Sequence, residues 1–99
     1  MHYVVFATQR EGTTQERLRL RDQFSAYLHD HPQHRDVTVH HAGPTLDESG
    51  ETPNGLMLVL EAPSLDAARA FVADSPYGQA DLLAESHIRA WNWLTGRPG

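Results

Sequence analysis

The apolar residues of this chain follow two patterns: continuous or alternating runs, which predict strands, and helical spacing, which predicts helices. The segments 2–8 and 55–61 are nearly continuous apolar runs rich in β-branched and aromatic side chains, which is typical of buried strands. Near the end, 86–94 alternates apolar and polar residues and places Trp91 and Trp93 on one face. These patterns predict a first, a third and a fourth strand.

A shorter alternation predicts the second strand, over 37–43. Val39 and His41 fall on one predicted face and His40 falls on the other, as expected for a half-buried strand. The following segment, 45–54, is polar and contains Gly and Pro without an apolar period, so it is predicted to be a connecting loop.

Apolar residues at helical spacing predict two helices, over 14–30 and 64–74. Thr13 and Glu16 have the spacing of a capping box at the start of the first helix, and Ser64 is a suitable N-cap for the second. The apolar stripes consist of Leu20, Phe24, Tyr27 and Leu28 in the first helix and Leu65, Ala68, Phe71 and Val72 in the second.

The resulting order βαββαβ indicates an α+β fold of the ferredoxin-like type, with a four-stranded antiparallel sheet. Each helix has a single apolar stripe, so we expect both helices to cover the same face of that sheet. The other face would expose a large apolar patch that includes Trp91, and such patches usually mark an interface. We therefore expect residues 1–99 to form a single domain that dimerises through its open sheet face.

Composition narrows the range of partners and sites. The net charge is −5 and the chain contains no Lys, which argues against nucleic acid, because phosphate binding needs clustered cations. Cys is absent, so disulfides and thiolate chemistry are excluded. No apolar run reaches the roughly 18 residues that a membrane span requires, and no signal segment is evident, so a cytoplasmic location is expected.

Several motifs, taken together, give the chain a family resemblance. They are the start Met1-His-Tyr-Val-Val-Phe-Ala7, the helix motif Arg21-x-x-Phe-x-x-Tyr-Leu28, Ala42-Gly-Pro44, Ala73-Asp-Ser-Pro-Tyr77 and the ending Ile88-Arg-Ala-Trp91. In this order they resemble the YciI-like family of small ferredoxin-like proteins over nearly the whole chain.

The resemblance implies a homodimeric α/β barrel with a small cleft beside the first helix. In that family a His on the helix and an Asp of an Asp-Pro-Tyr or Asp-Pro-Phe motif form a proposed acid–base dyad, and some relatives look like lyases or dehalogenases acting on ring-derived acids. Here Phe24 stands at the His position and Ser75 at the Asp position, with Asp74 one residue early. A glycine usual after that motif corresponds to Asp81.

These replacements change the expected chemistry, since phenylalanine cannot exchange a proton as an imidazole does near neutral pH. Ligand binding at this cleft is expected to involve Arg21, Phe24, Gly43, Pro44 and Ser75. Arg21 offers a planar fork for a carboxylate, or else serves only in a surface ion pair. The Gly43-Pro44 pair lets a ligand approach the backbone, or only ends a strand.

The residues left for catalysis are His41, Asp74 and Tyr77. His41 precedes the Ala-Gly-Pro motif and is expected to reach the cleft. Tyr77 donates a hydrogen bond to a ligand or packs its ring under the second helix, and packing is favoured. Asp74 takes the role of the missing acid only if it turns toward the cleft, although adjacent residues on a turn point in different directions.

Seven histidines suggest metal binding, but their placement argues against it. His40 and His41 are predicted to face opposite sides of one strand, so they cannot share a site. Three others, His29, His31 and His34, lie at a helix C-terminus and the following loop, where cationic side chains are favoured in any case. We expect no metal and no cofactor.

Two functions remain open. One is a catalytically silent dimeric module that binds a small organic acid, which the loss of the dyad favours. The other is a small lyase, isomerase or dehalogenase-type enzyme that uses acid–base chemistry on an unsaturated or ring-derived acid. The cleft beside Phe24 separates them, because an enzyme needs two or more titratable side chains there within hydrogen-bond reach.

Overall fold

The computed structural model describes residues 1–97 and contains one four-stranded sheet in the order β2-β3-β1-β4. All neighbouring strands are antiparallel, so the ferredoxin-like α+β fold predicted from the sequence is confirmed. The elements are β1 (His2–Gln9), α1 (Thr14–His29), β2 (Thr38–Leu46), β3 (Pro53–Glu61), α2 (Leu65–Asp74), α3 (Pro76–Gln79) and β4 (Leu83–Trp91).

Both long helices pack on the same face of the sheet, as their single apolar stripes require. Phe24 from α1 and Phe71 from α2 join one buried cluster with alternate residues of the central strands. On this face the sheet contributes Tyr3, Val5, Ala7, Leu56, Leu58 and Leu60. Alternation along β1 and β3 therefore divides the sheet into a helix face and an open face.

The two helix starts differ from each other. Ser64 caps α2 as predicted, and its hydroxyl accepts a hydrogen bond from the Ala67 amide at 3.1 Å. The capping box predicted for α1 is wrong, because the Thr13 hydroxyl donates to the Arg10 carbonyl instead of accepting from the helix. The side chain closes the preceding turn, which competes with capping for the same hydroxyl.

The second and third strands are longer than predicted and form a hairpin. β2 runs to Leu46 and β3 begins at Pro53, so the two ends of the predicted loop, 45–46 and 53–54, belong to the paired strands. The Asp47 amide donates to the Thr52 carbonyl at 2.9 Å and closes the remaining turn. Polar composition led to the wrong boundary, since exposed ends of paired strands are as polar as loops.

The last strand lies earlier than predicted, at Leu83–Trp91 rather than over 86–94. Trp93 therefore does not continue the alternation, and the chain turns so that its ring stacks on Trp91, with centroids 5.2 Å apart. The Trp93 indole is 6% exposed and donates to the Thr95 carbonyl at 2.8 Å. Of the two tryptophans, Trp91 alone is a residue of β4, so the prediction that both rings alternate along the strand is wrong.

A hydrogen bond between Tyr27 and Phe71 ties the two long helices together. The Tyr27 hydroxyl on α1 donates to the Phe71 carbonyl in α2 at 2.6 Å, and the two rings lie 4.8 Å apart. Burial, together with the nearby negative charge of Asp74, raises the pKa of Tyr27 to about 12. The phenol therefore remains a donor across the neutral range and holds α1 against α2.

The open face carries large apolar side chains without a helix to cover them. Phe6 is 51% exposed, Met57 37% and Trp91 36%. The register places Phe6 beside Met57 on β3, and Trp91 beside His2 on β1. Among residues 1–97, none of the helices has the length and apolar character that crossing a membrane demands.

A pair of glycines offers a test of the packing in this sheet. A Cβ at Gly55 would meet the Ala7 carbonyl oxygen and lie 2.8 Å from the Thr45 hydroxyl, whereas a Cβ at Gly43 would have no neighbour within 4 Å. We expect Gly55→Ala to lower the free energy of unfolding by about 1–3 kcal/mol or more, because backbone atoms must shift. Urea denaturation followed by circular dichroism measures the change.

Gly43→Ala is the matched control for that prediction. Gly43→Ala should raise the free energy of unfolding by no more than about 0.5–1 kcal/mol, because alanine loses less conformational entropy than glycine when it is fixed in a strand. Equal destabilisation by the two substitutions would contradict the close approach at Gly55.

Candidate functional site

A cleft of about 400 Å³ opens between α1, the β2–β3 hairpin and Tyr77. It is bounded by two arginines, an aromatic pair and the apolar ends of the hairpin. The principal lining residues are Arg17, Arg21, Phe24, Pro44, Leu56 and Tyr77. The volume lies within the range of about 300–1,000 Å³ that is usual for small-molecule sites.

The buried wall of the cleft is a pair of stacked rings. Phe24 and Tyr77 have centroids 4.1 Å apart and planes only 6° from parallel. Each ring is at least nine-tenths buried, so the pair presents a rigid apolar surface at the base of the cleft. Such a surface suits a flat, apolar part of a ligand.

Ser75 positions Tyr77 without lining the cleft. Its side chain is 2% exposed, and its hydroxyl donates to the Val72 carbonyl at 2.6 Å and accepts from the Gly78 amide at 3.1 Å. The serine thus closes α2 and caps α3 at the same time. The residue at the family's Asp position is fully used in holding this turn.

Two guanidinium groups flank the aromatic wall. Arg17 donates to the Gln9 side-chain oxygen at 2.8 Å and lies 5.3 Å from the centre of the Tyr77 ring, which fixes its position. Arg21 is exposed, and its contact with the exposed carboxylate of Asp22 spans 3.8 Å. An exposed pair at that distance contributes little, so the Arg21 guanidinium is available to an anion.

The charge state of the cleft at neutral pH follows from these groups. Burial raises the pKa of Tyr77, while the neighbouring charges of Arg17 and Arg21 lower it in part, so the phenol stays protonated. Arginine remains charged throughout. Within residues 1–97 the lining includes no histidine and no carboxylate. The cleft therefore suits anion binding and contains no side chain that accepts a proton near pH 7.

The structure brings together most of the residues predicted to bind a ligand. Arg21, Phe24, Gly43 and Pro44 all line the cleft, and so does Tyr77 from the predicted catalytic set. The ring of Tyr77 packs, as the sequence favoured, and it packs against Phe24 in the wall of the cleft itself.

His41 lies elsewhere, and the reason is a β-bulge. The pairing of β2 with β3 passes from Val39 to His41 and leaves His40 as an extra residue. This turns His41 onto the open face with His40, where its ring lies 5.5 Å from Trp93. The prediction that the two histidines face opposite sides is wrong, and His41 does not line the cleft of its own chain.

Asp74 also points away from the cleft. Its carboxylate binds the imidazole of His34 at 2.8 Å and borders a shallow hollow on the other side of α1. The aspartate one residue before Ser75 therefore does not replace the missing acid in this cleft. The His34–Asp74 pair itself was not predicted, because the two residues are 40 positions apart.

Arg17 is the charged cleft residue that the sequence did not single out. A signal existed, since Arg17 and Arg21 have i,i+4 spacing and share one helix face. Its contact with Tyr77, however, depends on how α3 docks against α1, which no local pattern reveals.

Comparisons with known proteins identify the family and the fold of the chain. The chain is 26% identical over 92 residues to an uncharacterised protein of Haemophilus influenzae, a match that covers 90% of this chain and 94% of the relative. A structure of 5-chloro-2-hydroxyhydroquinone dehydrochlorinase (TftG) from Burkholderia phenoliruptrix AC1100, in complex with 2,5-dihydroxybenzoquinone, is 27% identical with a TM-score of 0.77. It matches over 93% of this chain and 94% of the enzyme.

A more distant structure shares the fold. A dimeric protein of unknown function from Bacteroides fragilis, described as ferredoxin-like, is 17% identical with a TM-score of 0.57, over 93% of this chain and 94% of that protein. A family model, that of the YCII-related domain, matches residues 1–92. The resemblance inferred from the motifs is thereby confirmed, and the chain belongs to the family of YCII-related domains.

Proposed function

We propose that the chain is a homodimeric module that binds a small, flat organic acid in the cleft between α1 and Tyr77. The observation that carries this proposal is the chemistry of the lining: stacked rings beside two guanidinium groups, with no histidine or carboxylate among the described lining residues. Such a site holds an anionic ring but has no general base for it.

Each part of the cleft matches one part of such a ligand. The Phe24–Tyr77 wall offers apolar surface for a ring, and the Arg21 guanidinium offers a bidentate fork for a carboxylate or an ionised hydroxyl. Arg17 is held by Gln9 and the Tyr77 ring, so it supplies positive charge without needing to move. Preorganised groups of this kind lower the entropic cost of binding.

The similarity to TftG supports the class of ligand. That enzyme binds 2,5-dihydroxybenzoquinone, a flat oxygenated ring, and its chain aligns with this one over nearly its full length. We therefore take ring-derived acids of about this size as the ligand class.

Substitution of Arg21 tests the ligand assignment. With 2,5-dihydroxybenzoquinone and benzoate as probes, Arg21→Ala should weaken binding roughly tenfold to a hundredfold, because a charged hydrogen bond contributes about 1.5–3 kcal/mol. Isothermal titration calorimetry measures the dissociation constants. Arg19→Ala is the control, since Arg19 lies on the same helix but pairs with Glu16 outside the cleft.

Equal weakening by the two substitutions, or no binding of either probe by the parent, would contradict the proposal. Circular dichroism of both variants excludes a loss of fold.

An enzymatic function of the dehalogenase type is the alternative, and the TftG similarity is what favours it. In that case the acid–base groups would come from His41, Asp74 and Tyr77, the residues the sequence singled out. Only Tyr77 lines the cleft of its own chain, so His41 would have to enter from a second chain.

Restoring the family pair separates the two functions. We expect no chloride release from 5-chloro-2-hydroxyhydroquinone by the parent, and measurable release by the double variant Phe24→His, Ser75→Asp, because that variant regains an imidazole held by a carboxylate. Aspartate also caps helices well, so the α3 turn should survive. Release by the parent that disappears in Tyr77→Phe would establish the enzymatic alternative instead.

Association through the open face completes the proposal. Phe6, Met57 and Trp91 expose apolar side chains on that face, and covering them removes apolar surface from water. The interface should bury on the order of 1,500 Å² or more in total, as stable interfaces do.

Phe6→Glu should convert the dimer to a monomer, because a charge at this exposed apolar position would lose its water on association. Leu18→Glu, at an exposed leucine on α1, should leave the dimer intact. Sedimentation velocity at micromolar concentration measures the oligomeric state of both variants and of the parent. A monomeric parent would contradict the proposed dimer.

A further inference from the structure

Three potential ligands converge at one end of the open face, away from the cleft. The Nε2 of His40 lies 3.0 Å from a carboxylate oxygen of Glu61, and the Nε2 of His2 lies 3.5 Å from the same oxygen. One ligand atom from each of the three residues lies within 4.8 Å of the other two.

The fold brings these residues together from three strands. His2 and Glu61 are direct partners across β1 and β3, and Thr38 on β2 is the other partner of Glu61. The bulge at His40 lies two residues beyond Thr38. Bulges re-aim side chains and are frequent beside functional sites.

The spacing of the ligand atoms fits a coordinated ion. Bonds of about 2.0–2.2 Å to histidine nitrogen and carboxylate oxygen place neighbouring ligands about 2.9–3.5 Å apart at tetrahedral or octahedral angles. The two distances to the Glu61 oxygen, 3.0 and 3.5 Å, fall in that range. The His2 and His40 side chains are only 12% and 24% exposed, so little rotamer freedom is lost on binding.

The packing around the two imidazoles also favours a preformed metal site. The Trp93 ring packs edge-on against both imidazoles, with centroids 5.5 Å from each, and it shields them from solvent.

We propose that His2, His40 and Glu61 form a binding site for one first-row divalent cation per chain, with Zn²⁺ as the probe. Two imidazoles and one carboxylate suit such an ion and leave at least one coordination position open to water or a ligand. From the sequence we expected no metal, so this proposal departs from that expectation. It does not depend on the proposed acid-binding cleft.

The experiment uses the full chain without an affinity tag, in the oligomeric state it adopts in solution. Titration with Zn²⁺ by isothermal calorimetry should give one ion per chain. His40→Ala and Glu61→Gln should each weaken binding by more than about a hundredfold, since even outer-shell partners contribute about 10- to 100-fold. Cu²⁺ should quench tryptophan fluorescence in the parent, through Trp93, and far less in either variant.

His87→Ala is the matched control, because His87 lies on the same open face beside Glu85 but outside the cluster. Retained Zn²⁺ affinity in this control, with loss in both test variants, supports the site. The proposal is overturned by absence of Zn²⁺ binding in the parent, by unchanged affinity in either test variant, or by equal weakening in the control. Glu61→Gln preserves side-chain shape, so the test stands even if His40→Ala unfolds.

Discussion

The stacked rings of Phe24 and Tyr77 hold together the parts of the chain that enclose the cleft. Phe24 comes from α1 and Tyr77 from the short helix after α2, and their near-parallel contact at 4.1 Å fixes α3 against α1. Such a pair contributes about 0.5–1.5 kcal/mol beyond the apolar area it buries. Arg17 lies beside the Tyr77 ring, so the position of one cation in the cleft depends on the same contact.

This arrangement leaves an ordered site at the two positions where the family resemblance implies an acid–base dyad. Phenylalanine at position 24 gains a ring partner, and Ser75 satisfies the carbonyl of Val72 and the amide of Gly78 around its own buried hydroxyl. An aspartate facing a phenylalanine would leave a partly buried charge without its partner, which is costly. The two replacements are therefore physically consistent with each other.

The two sheet faces have separate chemistry. The helix face supports the cleft with its two arginines, while the open face combines exposed apolar side chains with the imidazoles of His2 and His40. The bulge in β2 contributes to both faces. It turns His41 onto the open face, and it lets Ala42 and Pro44 line the cleft in its place.

The sequence alone determined the element order, the class of fold and most of the cleft. Apolar periods of two and of 3.6 residues are signals that neighbouring residues carry by themselves. For this reason both long helices and all four strands were predicted to within a few residues. The boundaries of β2 and β3 were misplaced because their polar ends resembled a loop. Arg21, Phe24, Gly43 and Pro44 were found because motifs place them.

The tertiary structure decided what depends on pairing between distant residues. No local pattern marks the extra residue at His40, so the direction of His41 and the convergence of His2, His40 and Glu61 follow only from strand register. The turn that buries Trp93 and the docking of Arg17 on Tyr77 likewise depend on contacts across the fold. Periodicity reports which face a residue prefers, but register and docking decide which side chains meet.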